Sequence, residues 1–298
     1  MKRKIILTLI SSFILLGNSI AQSKDSTTDK PKGKFKLRQS FQSEDAKPEP
    51  AMITYTKPKG EKESFLIDAA LGYAFPAKSD ITITAYSEYH RNTLTEEESN
   101  TYQLGIASEW FTNKKFLSGD DQKNMSTTII NSNIEYSNDM LKKIESVQFS
   151  SEFTRLYGRR EGTNHFLPNI WNQFGKFLAI EYFPSIGVEW ESRLKTEKDS
   201  AKGNIGRLTG KLYSSFYPFY FAAKDRIELF VNGAFRYDVI NKTKFTDKTH
   251  PSIEAGINFI LSKSKPKASI GFSYNNIDDP GTGKEKQKFF LIAFKVKH

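Results

Sequence analysis

The sequence predicts an all-β chain: a single antiparallel up-and-down transmembrane β-barrel of about 12 strands, with about 10 to 14 compatible with the pattern. Three observations predict it. Hydrophobic alternation with a two-residue period runs from about residue 64 to the C-terminus, with no helical period. Many alternating segments are about 9–13 residues long, the reach a tilted strand needs to cross a bilayer, where soluble strands run nearer five or six. Tyr and Trp gather near strand ends on the apolar face, at Tyr73, Tyr89, Trp110, Tyr136, Tyr182, Trp190, Tyr237 and Tyr274. Such rings suit a boundary that is wet on one side and oily on the other.

The N-terminus is read separately. Lys2, Arg3 and Lys4 precede an apolar run over 5–16, and Ser19, Ile20 and Ala21 make a small-x-small cleavage site, so residues 1–21 are expected to be a secretory signal peptide. The apolar run is shorter than the roughly 20 residues of a spanning helix. Its removal takes the formal charge from +10 to +7. Residues 22–50 are rich in Lys, Ser, Asp and Pro, with Phe35, Leu37 and Phe41 the larger apolar residues. They read as a flexible, periplasmic arm that buries too little to order itself.

The barrel is expected over 51–298. In 65–75, Phe65, Ile67, Ala69, Leu71, Tyr73 and Phe75 share one face, and Leu66, Asp68, Ala70, Gly72 and Ala74 the other. In 81–90, Ile81, Ile83, Ala85 and Tyr89 oppose Thr82, Thr84, Tyr86, Glu88 and His90. Segments 102–111, 127–136 and 147–157 follow the scheme, with Glu109, Glu135 and Glu152 on their polar faces. In 178–190 the polar face holds Glu181, Ser185, Gly187 and Glu189. Arg207 and Lys211 oppose Leu208 and Leu212; Glu228, Arg236 and Asp238 oppose Leu229, Phe235 and Tyr237. Glu254 lies opposite Ile253 and Ala255, and 268–275 alternates without charge. The chain ends with Phe290, Ile292, Phe294 and Val296 against Lys295 and Lys297. That makes about eleven strands. An even number is expected of such barrels, so a further strand is sought first in 52–57 and second in 165–175. The long stretch 158–175, with His165, Pro168 and Trp171, reads as a functional loop, an irregular plug or an unresolved strand.

In hydrocarbon no backbone N–H or C=O can go unpaired, so a spanning sheet must close on itself. The mean hydropathy of −0.54 is compatible, because only alternate residues meet lipid. From 64 to 298 the chain resembles the outer-membrane β-barrels of double-membraned bacteria, ending in an amphipathic strand over 289–298 with His298 where Phe or Trp is usual. The resemblance implies location in the cell outer membrane, contact with its lipid, and recognition of the C-terminal strand by the barrel-assembly machinery. It implies no nucleic-acid partner and leaves any small solute unnamed.

The absence of Cys excludes disulfides, thiolate metal sites and a cysteine nucleophile. His90, His165, His250 and His298 are scattered, and no metal or cofactor is expected. The loop 280–285 lacks most of a phosphate-loop motif and reads as a hairpin turn; Asp278 and Asp279 fall far short of a calcium shell. The expected lumen residues are Asp68, Glu88, Glu109, Glu135, Glu152, Glu181, Glu189, Arg207, Lys211, Glu228, Arg236, Asp238 and Glu254. They describe either an electronegative passage faced by a basic wall or an interior filled by paired charges. His90 is the one catalytic candidate, since Glu88 and Tyr86 share its face. A catalytic pairing is disfavoured because i, i+2 neighbours on a strand are poorly set to bond and the sequence places no serine beside it. The leading expectation is passive transport through a pore or a structural surface role. The alternatives are an outer-membrane enzyme acting on lipid or peptide, and a soluble exported β-protein that binds a ligand.

Overall fold

A computed structural model of the chain describes residues 33–41, 51–56, 64–76, 80–93, 98–113, 126–158, 166–197, 202–220, 226–243, 247–262, 267–279 and 284–297. The expected signal peptide and most of the expected arm lie outside them. Fourteen strands follow in order: β1 (Lys34–Arg38), β2 (Ala51–Thr56), β3 (Ser64–Ala74), β4 (Ile81–Asn92), β5 (Ser99–Phe111), β6 (Ser126–Asp139), β7 (Ile144–Tyr157), β8 (Asn172–Phe174), β9 (Leu178–Lys195), β10 (Gly203–Pro218), β11 (Ile227–Asn241), β12 (Thr249–Ser262), β13 (Lys267–Asp279) and β14 (Lys284–Lys297).

Twelve of them form a closed antiparallel barrel, β2 through β7 and β9 through β14, with β14 paired back onto β2. The first candidate for the twelfth strand, 52–57, is β2. The second candidate, 165–175, contributes the short β8, a flap hydrogen-bonded to the start of β9. The predicted segments are too short rather than misplaced: β9 has 18 residues and β10 has 16, both longer than a tilted strand needs to cross a bilayer.

The pleat sends alternate side chains to opposite faces, and the face predicted to be apolar is the outer one. Ile186 is 69 % exposed and Phe290 80 % exposed, while Asp68, Glu88 and Gln103 on the inner face are 1 % exposed or less. A water-soluble fold would bury the first set and expose the second. Two rows of rings mark the ends of the outer band. Tyr89, Tyr136, Tyr237 and Tyr274 lie toward one end, Tyr73, Trp110 and Tyr182 toward the other.

The expected arm contributes to the barrel itself. Lys34–Arg38 pairs with Ala74–Ala70 of β3, and Met52–Thr56 of β2 pairs with Asp68–Ser64 of the same strand edge. The two are halves of one wall strand. Lys36 and Arg38 face inward, Phe35 and Leu37 outward, so the arm's own alternation is continuous with that of the wall.

Besides the register shifts at Gly206/Arg207, Ile260/Ser262, Ile277/Asp279 and Glu145/Ser146, two places in the described wall interrupt the ladders. The β7–β9 ladder ends at Phe153 and Ile186. Beyond it Asn169, at φ 61°, bridges the parted strands: its N–H donates to Tyr182 O at 2.7 Å, and its side-chain amide donates to Thr154 Oγ1 at 3.2 Å and to Arg155 O. Asn tolerates this left-handed conformation better than most residues. Of the segment 158–175, residues 166–172 sit in this gap between the two strand edges, and 159–165 lie outside the described residues. The second irregularity is the closing seam. Among the described residues, β14 meets β2 only from Phe294–Ile53 to Val296–Ala51, whereas β9 and β10 pair from Leu178–Pro218 to Arg193–Gly203. The seam is therefore the expected first place for the barrel to part. A disulfide between Ile53→Cys and Phe294→Cys, unambiguous in a chain without Cys, is expected to stabilise the folded barrel by about 2–4 kcal/mol. The check is the temperature at which its compact gel mobility is lost, with and without reductant; equal temperatures would show that the seam is not the weak point.

Candidate functional site

The inner face is polar because each strand turns every second side chain to the same enclosed space. Burying a charge there is costly unless an opposite charge or several donors meet it, and the lumen is organised by that requirement.

One wall, built by β3 and β4, carries a carboxylate–imidazole–carboxylate chain. His90 Nδ1 lies 3.0 Å from Asp68 Oδ1, and His90 Nε2 lies 2.9 Å from Glu88 Oε2, all three residues being fully buried. Register explains half of it, since Asp68 stands directly opposite His90. The other half corrects the expectation that Glu88 and His90, two apart on one strand, are badly placed to bond. With both side chains pointing into a confined lumen, they bend toward each other. Both ring nitrogens are occupied by carboxylates, so neither is left to take a substrate proton, and the serine beside this group, Ser40, donates to Glu88 Oε2 at 2.8 Å rather than to the ring.

Next to it Tyr86 donates to Glu135 Oε2 at 2.8 Å, and Gln103 Nε2 reaches Glu135 Oε1 at 3.2 Å. Gly105 makes room for the phenol: a Cβ there would lie 2.5 Å from the Tyr86 hydroxyl.

The opposite wall, from β7 to β12, is an ion-pair network. Lys211 Nζ meets Glu152 Oε2 at 2.7 Å, reaching across β9 from β10 to β7. Arg236 Nε meets Glu189 Oε1 at 3.0 Å, reaching across β10. Arg207 divides its guanidinium between Glu191 Oε2 at 2.8 Å and Asp238 Oδ1 at 3.0 Å. Arg193 supports Glu191 at 2.7 Å, and His250 stands 3.6 Å from Asp238 and 3.2 Å from Asp278. On the same wall, Glu228 accepts from Ser215 at 2.6 Å and Asn258 at 3.0 Å, and Glu254 from Asn232 at 3.3 Å.

The expected lumen residues are thus placed on the inner face. Asp68, Glu88 and Glu135 belong to the first wall. Glu152, Glu189, Arg207, Lys211, Arg236 and Asp238 belong to the second. Glu228 and Glu254 join hydroxyls and amides, and Glu109 meets Lys36 of β1 at 4.0 Å. Glu181 faces inward by the alternation of β9, half-buried. The side chains of Lys295 and Lys297, and His165 and His298 entirely, lie outside the described residues. His250 is the second residue of β12 and faces Asp278 of β13. Residues missed in the sequence are Arg38, Ser40, Phe41, Glu191 and Arg193. The last two continue the alternation of β9 past Trp190, where the reading of that strand stopped too early. Of the two readings of the lumen charge, the paired interior describes these contacts. Among the described residues no group of three or more His, Asp or Glu is arranged to hold a metal ion.

No protein-family model matches the chain, and no curated protein matches it. Among solved structures, the transport unit of the autotransporter AIDA-I from Escherichia coli aligns with 97 % of this chain and 97 % of its own, at 12 % identity and a TM-score of 0.42.

Proposed function

We propose that this chain is an integral outer-membrane barrel whose lumen is sealed at rest by its own charges, serving as a structural component of the bacterial surface rather than as an open diffusion pore. The observation that carries the reading is the pairing of Arg207, Lys211 and Arg236 with Glu191, Asp238, Glu152 and Glu189 along the β7–β12 wall of the interior. A passage selective for cations needs carboxylates available to ions; here they are engaged by guanidinium and ammonium groups. The outer band of Ile186, Phe235 and Phe290 supports insertion in lipid, and the alternating Phe290, Ile292 and Phe294 of β14 present the amphipathic C-terminal strand on which assembly of such barrels depends.

Two measurements test it. The exported protein is expected to stay in the membrane pellet after alkaline carbonate; release into the supernatant would sink the membrane assignment. In planar bilayers the purified protein is expected to hold the baseline, whereas steady, large channel openings would overturn the sealed lumen and restore the pore.

A further inference from the structure

The lumen holds part of the chain as though it were a ligand. The wall strand leaves its ladder after Arg38, opposite Ala70, and rejoins at Met52, opposite Asp68, so neighbouring positions on β3 are served by two distant stretches of sequence. Simple continuation of β1 into β2 would have kept the ladder whole. Instead Ser40 and Phe41 turn inward and are buried at 8 % and 6 % exposure.

What receives them is shaped for them. Glu88 accepts the Ser40 hydroxyl at 2.8 Å on one oxygen and the backbone N–H of Phe41 on the other. The Phe41 ring stacks on Tyr86, centroids 4.9 Å apart and planes 20° apart. The Arg38 guanidinium covers its other side at 4.2 Å from the centroid. The wall beneath is cut back to Ala70, Ala107 and Gly72. A Cβ on Gly72 would sit 2.3 Å from Phe41 Cζ, so only glycine leaves the ring its space. A carboxylate that reads a main-chain N–H, beside a slot for an aromatic ring, is the equipment of peptide recognition, and none of these features depends on the ligand being joined to the barrel.

We propose that the β3–β4 wall of the lumen is a peptide-binding site, filled in this structure by the chain's own Arg38–Phe41. Its ligand class is a peptide that turns inward after an arginine, with an aromatic residue directly after a small hydroxyl residue and the arginine three positions before the aromatic. The tethered segment competes at millimolar effective concentration, so a free peptide binds well only when the resident contact is weakened. The inference requires the closed barrel but not the sealed-lumen reading, because a site for peptide would serve an open barrel equally.

The test uses the full mature chain in detergent and a fluorescein-labelled peptide of sequence KFKLRQSFQS, with binding read by anisotropy. Phe41→Ala is expected to bind the peptide at least about tenfold tighter than the unaltered protein. The same peptide with Ala in place of its second Phe, the one that corresponds to Phe41, is expected to bind neither. Adding Gly72→Ala to Phe41→Ala is expected to remove the gain, because the new methyl occupies the slot. Compact gel mobility before heating reports that each variant is folded. Should Phe41→Ala perturb folding, Ser40→Cys in the otherwise unaltered chain gives the second readout: maleimide labelling is expected to be slow alone and about tenfold faster with Gly72→Ala. A folded Phe41→Ala that binds no better than the unaltered protein overturns the proposal, as does equal binding of the Ala-substituted peptide or a Ser40→Cys labelling rate indifferent to Gly72→Ala.

Discussion

Arg207→Met is expected to destabilise the barrel by about 3–5 kcal/mol, the loss that follows when one partner is removed from a buried charge cluster. Arg207 is 3 % exposed and holds two carboxylates, Glu191 at 2.8 Å and Asp238 at 3.0 Å. Without it Glu191 keeps Arg193, but Asp238 is left with the Asn241 amide at 2.8 Å and a more distant His250 at 3.6 Å. The damage comes from the stranded anions more than from the absent cation. The double variant Arg207→Met, Asp238→Asn is therefore expected to recover most of the stability, since Glu191 keeps Arg193 at 2.7 Å and a neutral amide at 238 no longer has to be neutralised. A control comes from the exposed pair Lys143–Glu197, with side chains 65 % and 54 % exposed, where Lys143→Met should change stability by no more than about 1 kcal/mol. Urea unfolding of the four proteins in lipid vesicles gives the comparison. If Arg207→Met behaves like Lys143→Met, the lumen is wet enough to screen its charges, and the sealed interior is wrong.

Which parts of this arrangement were readable in the sequence follows from the range of the interaction concerned. Face assignment is local. Phe65 and Leu66 point oppositely because the pleat makes them do so, and the same alternation describes β3 to β7 and β9 to β13. The twelfth strand was found from a parity rule and the six residues of β2. Strand ends were harder: Ser192 and Leu194 continue the outer face of β9, but a Ser there weakens the apolar signal, so Glu191 and Arg193 were lost with the end of the strand. In the arm, Phe35 and Leu37 alternate with Lys36 and Arg38 as in any wall strand, yet its Lys, Ser and Pro surroundings resemble a tether. What composition could not convey is that Arg38 has a ring to cover and Ser40 a carboxylate to meet. Those partners, Phe41 aside, stand on β4, and Lys211 meets Glu152 across an intervening strand. Such pairs are set by lumen width and strand tilt, which no short window of sequence contains.

Ile186→Arg is expected to destabilise the barrel by about 2–4 kcal/mol in vesicles, the penalty for a guanidinium near the middle of the hydrocarbon. Ile186 sits near the midpoint of β9, with Phe153 beside it on β7 and Gly210 on β10, and is 69 % exposed. The site decides between two solvents. On a water-soluble sheet an isoleucine this exposed can be exchanged for arginine with an effect within about 0.5 kcal/mol, because the head group stays hydrated and no core is disturbed. In a bilayer the same side chain must drag water inward or reach for a headgroup many ångströms away. Leu194→Arg offers the internal comparison: it lies on the same outer face, 54 % exposed, one residue from the end of β9, where the penalty should fall to about 0–1 kcal/mol. The depth dependence is the decisive quantity, since a general loss of packing would affect the two alike. Urea titrations of both variants in vesicles should separate their midpoints clearly. Were Ile186→Arg harmless, the outer face would be meeting water, and the apolar band from Ile186 to Phe235 would need a protein partner to cover it instead of lipid.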